Sequence, residues 1–300
     1  MKVWGLIART LEEQGACALV SVMRAEGSVP REEGARMVVT PRGFHGTIGG
    51  GTLEWKALAE AQRLLDKPRQ VKMLTQSLGP DLGQCCGGRV TLAIESFDPS
   101  SLLQARELAA REAEGPFTLA NRLPGVTENF GERRRAVLVF GAGHVGRALI
   151  LSLAPLPFDV TWADPRPEAF PSVMPQNVTG FSGDPLAAVA AAPKGTLAMI
   201  MNHSHPLDLQ IADAALRNPA IAHVGVIGSA TKRARFERRL REAGVDTSRV
   251  EAMICPIGVG GIRSKLPAAI AVSVAAQLIT LDEALSASAT HGILPARNAG

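Results

Sequence analysis

Glycines with the spacing G-x-G-x-x-G follow an apolar run in the second half of the chain. Gly141, Gly143 and Gly146 occupy these positions in the segment VLVFGAGHVGR. In dinucleotide-binding folds the first glycine permits a tight turn, the second lets the backbone approach a phosphate, and the third lets helix and strand pack closely. Asp164 follows where a ribose hydroxyl acceptor belongs. The pattern predicts an anion site at a helix N-terminus, and the alternative is a turn that needs glycine for its shape alone.

Further polar residues follow later apolar runs. His144 lies inside the glycine fingerprint, His203 and His205 follow TLAMIM, Gly228 follows IAHVGVI, and Lys265 comes after EAMIC. Because the carboxyl ends of parallel strands share one edge of a sheet, we expect these residues to surround one crevice that suits a phosphate-bearing ligand. The H-x-H spacing also offers two nitrogens to a metal ion, but metal ligation is the minority interpretation of this pair. Ligand binding or capping is therefore the favoured interpretation of the histidines, and packing is an equal alternative for His144.

Consecutive glycines also precede a helical pattern in the first half of the chain. Gly49, Gly50 and Gly51 stand directly before that helix. Such a run can turn its N–H groups toward an anion. A tight turn without a ligand is nearly as good an interpretation.

Two adjacent cysteines lie among glycines in the segment LGPDLGQCCGGRV. Cys85 and Cys86 have Arg89 nearby, and a neighbouring cation lowers the pKa of a thiol and makes it a better metal ligand or sulfur carrier. Inert buried cysteines rarely need so many neighbouring glycines. We therefore favour a functional interpretation, with both thiols as candidate soft ligands.

Short apolar runs alternate with helical patterns from residue 136 onward. This rhythm predicts βαβ units and a Rossmann-like, doubly wound parallel sheet over residues 134–300. The predicted strands are AVLVF, DVTWA, NVTGF, TLAMIM, IAHVGVI and EAMIC.

The first hundred residues have a different pattern. Four candidate strands surround one strong helix from Leu53 to about Leu65, which predicts a smaller α+β domain over residues 1–100. Residues 101–133 contain the helical stretch SLLQARELAAREAEG and are predicted to be a helical linker. The fold class is therefore α/β, with a domain boundary near Arg133.

Charge and composition exclude several classes of protein. The chain has 32 Lys and Arg against 28 Asp and Glu, a net charge of +4, and this mild excess gives no indication of nucleic-acid binding. The N-terminus lacks the apolar core of a signal peptide, and no apolar stretch of membrane-spanning length is evident. We expect a cytoplasmic protein without a membrane partner, whose four cysteines are reduced thiols.

Segments from both halves of the chain resemble the XdhC/CoxI family, the accessory proteins of xanthine dehydrogenase and related molybdenum hydroxylases. They occur in family order and cover most of the chain. The matching segments are EGSVPREEGARM, GTIGGGTLEWKALAEA, LGQCCGGRV, VFGAGHVGRAL, NHSHPLD, IGSATKRARF and CPIGVGGIRSKLPAAIAVSVAAQL.

The resemblance implies a chaperone for the molybdenum cofactor, molybdopterin. Such a protein protects the cofactor while its sulfido ligand is installed with a cysteine desulfurase, and then inserts it into the apo form of a xanthine dehydrogenase-type enzyme. On this basis Cys85 or Cys86 is expected near the sulfur-transfer site, and the glycine-rich edge is expected to hold the pterin phosphate. The resemblance also implies a homodimer. Whether a nucleotide binds the fingerprint stays open.

An NAD(P)-dependent oxidoreductase is the alternative, because such an enzyme uses the same fingerprint and a carboxylate at the position of Asp164. The chain contains no tyrosine, so a tyrosine proton donor is excluded, and His203 or His205 would have to act as the acid. No carboxylate and histidine pair is evident for that role. A purely structural role ranks third, because it does not explain glycines and thiols in both domains.

Overall fold

The structure is a computed structural model that describes residues 2–67, 69–79, 87–120, 122–123, 126–131 and 134–291. The chain divides into two compact units, Met1–Arg133 and Arg134–Gly300. Each has its own sheet and its own hydrophobic core.

An antiparallel five-stranded sheet forms the centre of the first unit. Helix α1 (Val3–Gln14) and helix α3 (Leu102–Glu114) cluster on one face, and α2 (Gly51–Leu64) packs on the other. The first six residues of the central strand β1 are all buried because the strand is covered on both faces. In spatial order the strands are β3 (Gly43–Gly46), β2 (Arg36–Thr40), β1 (Cys17–Glu26), β5 (Arg89–Phe97) and β4 (Val71–Ser77).

Helix α1 begins against a carboxylate from another helix. The buried side chain of Glu112 accepts hydrogen bonds from the N–H groups of Val3 and Trp4, each at 2.8 Å. These bonds satisfy two of the N–H groups that lack a partner within the helix. The negative charge also suits the positive end of the helix dipole. Gly15 ends the helix at φ 78°, where its N–H donates to the carbonyl of Leu11.

The segment 101–133, predicted as a helical linker, lies within the first unit. Helix α3 packs against α1, and strands β6 (Phe117–Ala120) and β7 (Thr127–Phe130) form an antiparallel hairpin. Phe130 is buried against Trp4, with 5.1 Å between the ring centroids. The sequence predicted the helix but could not indicate which surface covers its apolar face.

The second unit contains a parallel five-stranded sheet. Numbered along the unit, its strand order is 3-2-1-4-5, the doubly wound arrangement whose order reverses between the first and fourth strands. The predicted fold class, α/β with a Rossmann-like sheet after a smaller N-terminal α+β unit, is confirmed. In spatial order the strands are β10 (Val178–Phe181), β9 (Phe158–Ala163), β8 (Arg135–Phe140), β11 (Thr196–Ile200) and β12 (Ile221–Val226).

Helices cover both faces of this parallel sheet. Because side chains alternate along a strand, Val139 and Met199 face one layer of helices, while Phe140 and Ile200 face the other. The first layer contains α4 (His144–Leu153) and α9 (Pro267–His291). The second layer contains α5 (Pro185–Ala190), α6 (His205–Arg217), α7 (Ala230–Glu242) and α8 (Thr247–Glu251).

The predicted strand EAMIC (residues 251–255) does not form: helix α8 ends at its first residue, Glu251, and residues 252–255 are irregular. The contact of this segment with the sheet is a single parallel bridge between Ile254 and Gly225. Asp246 starts the helix because its side chain accepts a hydrogen bond from the N–H of Arg249 at 3.1 Å. The helix then uses Glu251, which the apolar pattern had assigned to the strand.

Helix α9 contradicts the expectation that no apolar stretch of membrane-spanning length exists. Among the described residues, Pro267–Ser288 is the one helical segment that is long and apolar enough to cross a membrane, judged by length and composition only. Helices in the core of globular proteins meet the same criteria. Ala271, Val274 and Leu278 are buried in the core of the second unit together with Leu149 of α4.

Candidate functional site

The last residues of all five strands in the parallel sheet lie in one row. Phe181, Ala163, Phe140, Ile200 and Val226 pair with one another in that order across the sheet. The loops that follow them therefore leave from the same edge, here called the carboxyl edge. Ligands of open α/β sheets bind outside this edge at the point where the strand order reverses. In this chain that point lies between β8 and β11.

The fingerprint glycines occupy three different environments at this point. Gly141 has φ 108°, and an added Cβ would lie 2.7 Å from the carbonyl oxygen of Met201, so the loops after β8 and β11 touch here. A Cβ on Gly146 would overlap the carbonyl oxygen of Gly141. A Cβ on Gly143 would meet no atom within 4 Å. The first and third glycines are thus required by packing, whereas the second borders open space.

The N-terminus of α4 faces that open space. No side chain caps the helix at Gly143, so the N–H groups of its first turn are available to a ligand. His144, the first residue of the helix, is exposed. The combination of free N–H groups and open space at Gly143 fits a phosphate group.

Asp164 is buried beside the fingerprint and makes four hydrogen bonds. Its Oδ2 accepts from the N–H of Ala142 at 2.8 Å and from Nη2 of Arg166 at 2.9 Å. Its Oδ1 accepts from the N–H and the Nε of Arg166, at 3.0 and 2.9 Å. Burial raises the pKa of Asp164, but the bonds from Arg166 and Ala142 outweigh burial and lower that pKa to about 2. The carboxylate is therefore ionised and fully engaged at neutral pH.

A buried ion pair links the first turns of α6 and α7, the helices that follow β11 and β12. Lys232 Nζ lies 2.7 Å from Oδ2 of Asp208, and these side chains are 7% and 0% exposed. Oδ1 of Asp208 accepts hydrogen bonds from both the main-chain N–H and the side-chain amide of Asn202, each at 3.1 Å. Lys232 also donates to the carbonyl of Ile227 at 2.8 Å. These contacts fix both loops at the carboxyl edge.

Gly228 lies against this pair and against a thiol. A Cβ on Gly228 would lie 2.7 Å from Cδ of Lys232 and 3.2 Å from Sγ of Cys255. Burial raises the pKa of the Cys255 thiol, and the positive charge of Lys232 offsets only part of that effect. Gly228 is therefore needed for close packing, and Cys255 is a thiol that stays protonated at neutral pH.

The other predicted edge residues are exposed and separate. His205 accepts a hydrogen bond at Nδ1 from Arg235, with the two nitrogens 3.1 Å apart. His203 and Lys265 are exposed and have no hydrogen bond or ion pair within the described part of the chain. No group of three metal-ligating side chains occurs among the described residues either. The structure thus brings Gly141, Gly228 and the loop of His203 and His205 to one edge without forming a metal centre.

The glycine turn in the first unit holds an anion that belongs to the chain itself. Gly49, Gly50 and Gly51 all have positive φ angles, of 124°, 76° and 66°. Oε2 of Glu54 accepts hydrogen bonds from the N–H groups of Ile48 at 2.9 Å and of Gly50 at 3.2 Å. The predicted nest therefore exists, and the carboxylate of Glu54 fills it.

Hydrogen bonds also set the charge state of Glu54. The Thr47 hydroxyl donates to Oε2 of Glu54 at 2.5 Å. Burial raises the pKa of Glu54, but the hydrogen bonds from Thr47 and the turn amides outweigh it, so that this pKa lies below its usual range. Glu54 is therefore an anion at neutral pH.

Two predicted features of the first unit approach the same loop. A Cβ on Gly49 would lie 2.5 Å from Cγ of Pro30, and a Cβ on Gly88 would lie 2.5 Å from the carbonyl oxygen of Ser28. The glycine turn and the start of β5 thus both pack on the segment 28–30. Cys85 and Cys86, which precede Gly88 in sequence, lie outside the described residues.

Sequence reasoning missed Asp208, Cys255 and Arg166. Lys232 lies in the matching segment IGSATKRARF, but nothing in the sequence pairs it with Asp208. A signal existed for Asp208, because an acidic residue in the first turn of a predicted helix suits the helix dipole. That signal does not indicate a partner on another helix.

Comparisons with known proteins agree with this architecture. The family model described as the XdhC Rossmann domain matches residues 137–278, and the model of the XdhC and CoxI family matches residues 10–75. The uncharacterized protein YqeB of Escherichia coli is 29% identical over 281 residues, which are 91% of this chain and 45% of YqeB. The chain thus spans about half the length of this curated relative.

A crystal structure supports the fold over both units. A protein from Bacillus halodurans described as a xanthine dehydrogenase superposes with a TM-score of 0.77 at 20% identity, covering 95% of this chain and 96% of that chain. At this identity the likeness bears on the fold alone. The two family matches cover the parallel sheet with the fingerprint, and the glycine turn with the first three strands of the other sheet, in the predicted order. The chain therefore belongs to the XdhC/CoxI family.

Proposed function

We propose that this protein binds the molybdenum cofactor and delivers it to a xanthine dehydrogenase-type enzyme. Membership of the XdhC/CoxI family supports a role in the maturation of a molybdenum enzyme. The observation that carries the finer proposal is the open space at Gly143, bordered by uncapped N–H groups of α4, at the reversal of the strand order. A phosphorylated pterin suits this place, because its phosphate is an anion that main-chain N–H groups can bind.

The residues at the carboxyl edge suit holding a ligand better than transforming one. The α4 amides would bind the phosphate of the cofactor, and the exposed His144, His203 and Lys265 would contact its polar groups. The cofactor is cargo, and its molybdenum chemistry takes place in the client enzyme. A hydride-transfer enzyme needs a general acid with a tuned pKa. His205 is bonded to an arginine, and no described carboxylate partners His203. These contacts favour a carrier over the oxidoreductase alternative.

The thiols of Cys85 and Cys86 belong to the same proposal. We place them at the step in which a cysteine desulfurase supplies sulfur, because cysteine thiolates carry sulfur and bind soft metals. The assay mixes the apo client enzyme with cofactor and desulfurase. The double variant Cys85→Ser and Cys86→Ser should activate the client less than wild-type protein does. Its melting temperature should stay unchanged. Undiminished activation would remove the thiols from the mechanism.

Molybdenum and pterin analysis tests the proposal directly. Protein purified from a host that makes the cofactor should contain molybdenum and a pterin detectable by fluorescence after oxidation. Gly143→Leu should reduce both by about tenfold or more, since loss of a few charge-assisted hydrogen bonds has this effect. Wild-type protein without molybdenum or pterin would refute the proposal.

Gly143→Ala is the matched control at the same position. Gly143 has φ −78°, which any residue adopts, and its side-chain direction is open. Both variants should therefore fold with melting temperatures close to wild type, and only the bulky one should block the ligand. Full molybdenum content in the Leu variant would show that the cofactor binds elsewhere.

A further inference from the structure

The carboxylate of Asp164 has no acceptor position left for a ribose diol. A carboxylate offers about four lone-pair positions, and Asp164 uses four, three for Arg166 and one for Ala142. The usual role of an acidic residue here is to accept hydrogen bonds from ribose hydroxyls. In this chain a plain diol would have to break bonds to Arg166 first.

Some N–H donors of the Arg166 guanidinium make no hydrogen bond within the described residues. It gives its Nε and one Nη2 hydrogen to Asp164, and its Nη1 has no hydrogen-bond partner within the described residues. The side chain is 47% exposed, so these remaining N–H groups face solvent. Arginine presents its donors in a planar fork that matches the oxygens of a phosphate.

Two links hold Arg166 next to the fingerprint. The first is the hydrogen bond from the Ala142 N–H to Asp164. The second comes from Arg147 of α4, whose Nη2 donates to the carbonyl of Ala169 at 2.8 Å, beyond Arg166 in the same loop. The loop after β9 is thus tied on one side of Arg166 to the glycine loop before α4, and on the other side to the first turn of α4. The position of its guanidinium therefore depends on packing within the second unit and not on a ligand.

We propose that Arg166 forms a subsite for a phosphate on the ribose of a nucleotide, so that the fingerprint prefers a 2′-phosphorylated dinucleotide over one with a free diol. The nearby charges are mixed, because Arg147 adds a positive charge, whereas Asp164 and Glu168 each add a negative one. The phosphate therefore needs the direct fork of Arg166. This inference goes beyond cofactor delivery, since it assigns a second class of ligand to the fingerprint.

Nucleotide titration calorimetry tests the inference without any variant. NADP⁺ should bind at least about tenfold tighter than NAD⁺, and 2′,5′-ADP should bind tighter than 5′-AMP by a similar factor, the effect of one charge-assisted pair. Equal affinities, tighter binding of NAD⁺, or no binding of any of these nucleotides would overturn it. The molybdenum analysis is a separate readout, so failure of one proposal is distinguishable from failure of the other.

A matched pair of variants tests whether Arg166 is the residue that binds the 2′-phosphate. Arg166→Met should remove the preference for the 2′-phosphate and leave NAD⁺ affinity unchanged or higher. Arg217→Met is the control, because Arg217 is 46% exposed and also pairs with a nearby aspartate, Asp213, but at the opposite end of α6 from the carboxyl edge. The control should keep the wild-type preference. If Arg166→Met kept the preference as well, Arg166 would not be the subsite.

Discussion

Replacing Lys232 by Met tests whether the buried pair with Asp208 holds the carboxyl edge together. The variant leaves a carboxylate with 0% exposure whose Oδ2 has lost its partner, while only the two bonds from Asn202 remain on Oδ1. Removing one member of a buried pair costs about 3–5 kcal/mol in the free energy of unfolding. Lys232→Met should therefore be among the most destabilising single changes in the second unit.

Urea denaturation followed by circular dichroism measures this loss. The double variant Asp208→Leu and Lys232→Met should recover part of the stability, because it removes the unpaired buried charge, although the Asn202 donors and the Ile227 carbonyl then lose their partners. Arg238→Met serves as the control, since its exposed pair with Glu242 contributes about 0.5 kcal/mol or less. A loss below about 1 kcal/mol for Lys232→Met, or no recovery in the double variant, would refute the reasoning.

Three further changes should have measurable effects. Gly146→Ala should lower the free energy of unfolding by more than about 2 kcal/mol, measured in urea, because its Cβ would overlap the carbonyl oxygen of the first fingerprint glycine; a melting curve like wild type would contradict this. The folded-state pKa of Asp164, about 2, lies below its unfolded value of about 3.9, so its stabilisation is present above pH 4 and lost as the pH falls toward 2. The loss in the free energy of unfolding is at most about 2 kcal/mol, because solvent at the half-exposed arginine weakens the interaction. In an acid titration, the stability of Arg166→Met should fall less steeply than that of wild type. Iodoacetamide should modify Cys17 and Cys255 only after unfolding, since burial raises both thiol pKa values, that of Cys17 to about 12; mass spectrometry of native protein that shows either one alkylated would contradict this.

The sequence predicted features that depend on neighbours along the chain. The fingerprint and the strands around it follow from local pattern, because a glycine spacing and an apolar run each act within a few residues. The prediction of a strand at EAMIC was wrong for a reason that is also local. The side chain of Asp246 caps a helix that extends to Glu251, which favours a helix over a strand at that residue.

Partners on different elements could not be predicted in this way. Lys232 and Asp208 are 24 residues apart and meet only because α6 and α7 begin at the same edge of the sheet. Arg166 is two residues from Asp164, but nothing in the local pattern indicates that it would use three of the four acceptor positions of that carboxylate. A sequence reveals which residue types are present, whereas the pairing of charges depends on the packing of the fold.

The tethered carboxylate of Glu54 makes the glycine turn of the first unit selective. Any anion that enters this turn must displace a competitor that is attached to the same chain, at an effective concentration of the order of millimolar or higher. A ligand that gains further contacts elsewhere on the unit can succeed, and Glu54 would then be released as a free, charged side chain.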